Sequence, residues 1–105
     1  MTIRSGLLWR ILKNVFHSPL ERERDFYDRL RELSGEIEAL PESITHYVLR
    51  GELFIERGEF ERARMDFEAA VDIAEALDPN GSWGLLEQVM QDRALQGIEL
   101  VQRRR

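Results

Sequence analysis

Residues 44–79 read ITHYVLRGELFIERGEFERARMDFEAAVDIAEALDP, and the spacing within them decides the fold. Tyr47, Gly51, Phe54, Gly58, Phe60, Ala63, Phe67 and Ala70 follow one another at intervals of 4, 3, 4, 2, 3, 4 and 3. Steps of three and four place side chains on one face of a helix. Gly58 divides the run, because glycine takes the left-handed conformation that a helix C-terminus favours. The spacing therefore predicts two antiparallel helices, over residues 42–57 and 60–77. Gly51 and Ala63 fall where the two would approach most closely, so a larger side chain there would push them apart. Tyr47, Phe54, Phe60 and Phe67 are the bulky groups that fill the remaining space. Asp78-Pro79-Asn80-Gly81 then stops the second helix and turns the chain.

This order of aromatic, small and turn residues resembles a tetratricopeptide repeat, over about a third of the chain. The resemblance implies an all-α fold: one helical hairpin at residues 44–79, flanked by further helices in a small right-handed bundle or solenoid fragment. Two positions depart from the family pattern. Pro79 comes four residues later than the end of a repeat of about 34 residues, which lengthens the second helix by about one turn. Arg50 stands where leucine is usual; its stem is expected to cover apolar surface while its head stays in water. In the family, function lies on the inner face of the first helix. Carried onto this chain, that face is Thr45, Val48, Glu52, Ile55 and Glu56. Repeats that grip a C-terminal carboxylate present lysine, arginine and asparagine there. Two acids and two aliphatics fit a basic or amphipathic helix better. A neighbouring helix of the same chain is the other candidate to cover this face.

The rest of the chain supplies the flanks. Residues 5–16 are expected to form a basic amphipathic helix, within an N-terminal unit of residues 1–17. Leu7, Leu8, Ile11, Leu12, Val15 and Phe16 make a wide apolar arc with Trp9 at its edge, opposite Arg10, Lys13 and Asn14. The segment is too short to span a bilayer, and charges interrupt the apolar run a secretory signal needs. Packing on protein, own or foreign, lying on an anionic membrane surface, and remaining a mobile segment all stay open for it. Leu8, Trp9, Leu12 and Phe16 are the contact residues expected in the first two cases. One form of the protein reading docks this helix on the Glu52/Glu56 face of its own chain.

Residues 18–105 make the helical domain. Ser18-Pro19-Leu20-Glu21 has the spacing of a capping box, and Phe26, Leu30, Leu33, Ile37 and Leu40 form a narrow apolar stripe behind it. A final capping helix is expected over residues 82–103, with Ser82 as N-cap. Its buried side is read as Leu86, Val89, Met90, Ala94, Ile98 and Val101. Gly84 and Gly97 are expected to weaken it by roughly 1 kcal/mol each.

Composition narrows the function. The 105 residues contain no cysteine, which removes disulfides and thiolate chemistry. His17 and His46 are too far apart in sequence to suggest a metal site and suit capping or surface positions. The formal net charge is −5, but residues 1–17 hold three cations and no acid, and residues 103–105 are all arginine. Between them nine basic residues face all 20 acids, a body that repels nucleic acid. No nucleophile–base pairing, phosphate loop or metal-ligand spacing is present, so the chain reads as no enzyme and needs no cofactor. The sequence thus points to a cytoplasmic protein–protein interaction adaptor that helps assemble a larger complex. The alternative is an accessory subunit of a multi-subunit complex, peripheral to a membrane and held through residues 5–16. Self-association is left open.

Overall fold

The computed structural model describes residues 19–78, 80 and 84–104. Among these residues there are four helices and no strand: α1 (Pro19–Ala39), α2 (Ile44–Glu56), α3 (Phe60–Leu77) and α4 (Leu85–Arg103). The fold is all-α. The helix expected over residues 5–16 lies outside the described residues.

Each boundary has a local cause. Pro19 opens α1, where its missing N–H costs nothing. Ser43 sits in an extended conformation, and its hydroxyl accepts from the His46 amide at 3.4 Å. That cap starts α2 at Ile44, two residues later than the spacing predicts. The His46 ring approaches the same hydroxyl at 2.5 Å, so the histidine does serve a helix start. Gly58 has φ +73°, as its role as terminator requires. The amide of Glu59 returns to the Phe54 carbonyl at 2.9 Å and closes that end. α4 begins later than expected. Its N-cap is Gly84, without a side-chain cap, so Gly84 lies outside the helix and does not weaken it. Ser82 and Trp83 lie outside the described residues.

Among the described residues, α2 and α3 pack most extensively, α4 packs on both, and α1 packs on α2 alone. Successive helices run antiparallel. Along α1 and α2, Glu23 pairs with Arg57 at one end and Glu36 with His46 at the other. The centre of the core is Phe67 on α3, which is fully buried. A methyl built at Gly51 on α2 would lie 2.7 Å from its Cε1, and one built at Gly97 on α4 would lie 2.5 Å from its Cζ. The ring's Cδ1/Cε1 edge thus meets one helix and its Cδ2/Cε2 edge the other. Val48, Ala63, Ala70, Ala74, Ala94 and Val101 complete the tightly packed zone around it.

Gly97 is therefore a packing residue, and its local helix cost is outweighed by the close approach it permits. The buried stripe of α4 is Met90, Ala94, Gly97 and Val101, with Ile98 beside it. Leu86 and Val89, read from the sequence as buried, are exposed. The stripe of α1 is buried at Phe26 and Ile37 and half-buried at Leu30 and Leu33, but Leu40 is exposed beyond the helix end.

Candidate functional site: a trough along α2

α2 is touched on three sides. Gly51 faces α3, Phe54 and Arg57 meet Phe26 and Glu23 of α1, and Glu52 and Ile55 meet α4. Since α1 and α4 do not meet each other, a strip of α2 lies between them. Thr45, Leu49, Glu52 and Glu56 are spaced four, three and four apart and so share that strip. Thr45, Leu49 and Glu52 are half-buried, and Glu56 is exposed. The α4 side of this trough continues with Arg93, Gln96 and Leu100, around a cavity of about 240 Å³ that reaches Phe67. Leu86, Val89 and Leu100 lie 59, 43 and 39 % exposed on the same flank of α4, an apolar edge turned away from the core.

The five residues expected on the inner face separate here. Thr45, Glu52 and Glu56 lie along the trough. Val48 is completely buried and offers no surface to a partner in this structure. Ile55 is half-buried on the side of the strip facing α4. Part of the face is thus covered by the chain's own last helix. Leu8, Trp9, Leu12 and Phe16 lie outside the described residues. Leu49, Arg93, Gln96 and Leu100 were not singled out by the sequence. Leu49 follows from the same heptad step as Thr45 and Glu56, whereas the α4 residues depend on a crossing that no local spacing reveals.

Two ion pairs fix the geometry. Arg93 donates from Nε to Glu52 Oε2 at 3.0 Å and makes a second bond through Nη2 to Oε1. This fork ties α4 to α2 at the lip of the trough, and the hydrogen bond to Glu52 raises the Arg93 pKa against the cost of desolvation. Both side chains are more than a third exposed, so the pair contributes at most about 1 kcal/mol and acts mainly as an orienting contact.

The other pair lies on the opposite side of α2. Arg50 donates to Asp66 through Nε at 2.8 Å and Nη2 at 2.7 Å, and to Ser34 Oγ through Nη1 at 3.1 Å. One guanidinium thus joins α1, α2 and α3. This corrects the expectation that its head stays in water: Asp66 is 5 % exposed, and the bidentate bond to it is what raises the Arg50 pKa. Arginine stands in place of an apolar residue because an acid waits for it across the hairpin. Arg62 lies over the Phe54 ring at 4.4 Å beside this junction.

Among the described residues no group of three or more histidine, cysteine, aspartate or glutamate side chains is placed to hold a metal ion. No described helix is long and apolar enough to cross a membrane. Comparison of the chain with protein-family models, with curated proteins and with solved structures returns no match.

Proposed function

We propose that this chain is a non-catalytic protein–protein interaction adaptor whose α2–α3 hairpin is a single tetratricopeptide-like unit and whose docking surface is the trough along α2. The observation that carries the reading is the exposed apolar flank of α4: Leu100 lines one cavity with Glu52, and Val89 and Leu86 continue its face at steps compatible with one side of the helix. Leucines and a valine on the rim of a concave strip gain by being covered; each fully buried side chain of this kind contributes about 1.5–3 kcal/mol. With Glu52 engaged by Arg93, Glu56 is the acid of the strip that favours a cationic occupant, and the strip has the length of a short helix. The partner that fits is an amphipathic helix with basic residues along one edge. The hairpin reading is supported by the approach of Gly51 to the Phe67 ring, by Ala63 with no exposed surface and by the positive φ of Gly58.

A photo-crosslinking amino acid placed singly at Val89, Glu56 and Glu32 in the full chain, expressed in its native cells, tests the surface. The first two positions lie at the trough, and Glu32 is on the exposed outer side of α1. Val89 and Glu56 should crosslink to one helical segment of a partner, and Glu32 should not. Equal crosslinking from Glu32, or none from either trough position, removes the trough as the docking surface.

A further inference from the structure

We infer that the side of α2 opposite the trough is a second docking groove, and that its occupant is a segment of a partner protein that sets one carboxylate beside an apolar side chain. The inference goes beyond the trough and stands on a different set of residues.

The groove exists because α1 and α3 both flank this side of α2 and, among the described residues, do not touch each other. Its floor is Arg50 and Phe54, one turn apart on α2. Leu30 and Ser34 form the α1 wall, and Arg62, Met65 and Asp66 form the α3 wall. The space between them is about 280 Å³. That is at the lower end of the ~300–1,000 Å³ usual for small-molecule sites, and it suits anchoring side chains better than a whole helix.

The lining selects the occupant. A guanidinium carries five N–H donors. Among the described residues Arg50 commits three of them, two to Asp66 and one to Ser34. Each Asp66 oxygen already accepts from that fork, so the buried acid offers little to an incoming donor. Arg62 gives an N–H to Glu59 at 3.2 Å, in a pair whose side chains are 57 and 35 % exposed. A pair so exposed is weak, and a second carboxylate can share or replace it. The groove therefore presents more donors than acceptors. Arg62 is held at its mouth by the Phe54 ring, 4.4 Å away. Beside it lie half-buried Leu30 and the exposed Met65. Methionine is unbranched and polarizable, and it adapts to what covers it. An apolar group seated on Leu30 and Met65 brings a neighbouring carboxylate to Arg62 and to the remaining Arg50 donors. The surrounding body is acidic, with nine basic residues against 20 acids over residues 18–102. It repels a strongly acidic partner, so one carboxylate beside an apolar anchor fits better than a run of acids.

The test titrates an acetylated, amidated peptide, Ser-Leu-Glu-Leu-Ser, into the ¹⁵N-labelled full chain, with its glutamine counterpart as control. The amides of Leu30, Ser34, Arg62 and Met65 should shift together and saturate with a Kd of about 1 mM or tighter. The glutamine peptide should bind about fivefold more weakly, the scale of one exposed charge contact. Arg62→Gln should weaken the glutamate peptide by about the same factor, and Met65→Ala by about threefold. Both positions are exposed, which spares the fold, and Arg50 is left intact because it joins three helices. Four results overturn the inference: no shift at these four amides, equal titration by the two peptides, unchanged affinity in either variant, or shifts centred on Leu49, Glu56 and Val89. The last would place the peptide in the trough. The crosslinks from Val89 and Glu56 report on the trough separately, so either surface can fail without the other.

Discussion

The two sides of α2 are held by different physics. Towards α3 and α4 the contact depends on shape: one phenylalanine ring between two glycines, with methyl groups around it. Towards α1 an apolar stripe of Phe26, Leu30 and Leu33 also packs on the core, but oriented polar and aromatic contacts accompany it. Arg57 lies 4.2 Å from the Phe26 ring centre and pairs with Glu23, Arg50 reaches Ser34, and Glu36 lies 4.0 Å from His46. Shape contacts lose energy for every misplaced methylene, whereas surface pairs contribute a few tenths of a kcal/mol each. The helices α2, α3 and α4 should therefore behave as one cooperative block. α1 should open first, as a separable layer.

The largest expected effect comes from removing the ring. Phe67→Ala should destabilise the whole domain by about 3–5 kcal/mol, lowering amide protection of α2, α3 and α4 together. Phe26→Ala should instead lower protection mainly within α1. Urea unfolding with residue-resolved exchange separates the two, and equal loss in every helix after Phe26→Ala would dissolve the distinction.

An intermediate effect is expected at the polar junction between the two sides. Asp66→Ala leaves Arg50 as an unpaired, partly buried cation. The full cost for a buried pair is about 3–5 kcal/mol, but Arg50 keeps some access to water, with 21 % of its side chain exposed. A loss of about 2 kcal/mol is expected in denaturant titration. Replacing Arg50 and Asp66 together with leucine and alanine should recover much of it, and additive losses would deny the coupling.

The smallest effect is the most discriminating, because its sign depends on which side is altered. Gly97→Ala gains helix propensity but drives a methyl into Phe67, and overpacking of about 1–3 kcal/mol outweighs the gain of about 1 kcal/mol. Gly35→Ala, in α1 with nothing within 4 Å of the new methyl, should stabilise by about 0.5–1 kcal/mol. Melting temperatures that move in the same direction for both would refute the packing assigned to Gly97.

The hairpin was legible because its determinants are local. The three- and four-residue steps, Gly58 and the approach at Gly51 all lie within one stretch of chain. Gly97 was misread for the opposite reason. Within its own helix it looks like a weakness, and only the crossing of α4 over Phe67 turns it into a contact. Leu86 and Val89 mislead similarly: they lie one flank away from the Met90–Ala94–Gly97–Val101 stripe, and apolar character alone does not say which flank is covered. Asp66 is one acid among many on α3. Its clue is Arg50, a cation at an apolar position of the facing helix. Of the trough, the α2 strip was readable from heptad spacing, while its α4 wall required the tertiary arrangement.

Because a single aromatic plane is gripped from both edges, the seating of the last helix is dictated by Phe67 rather than by the connection that leads to it. The segment joining Leu77 to Leu85 is thereby released from any duty of aiming α4. Residues added or removed there would change the path of the chain and leave the three-helix block in register, which makes this connection the natural place for the polypeptide to accept inserted sequence.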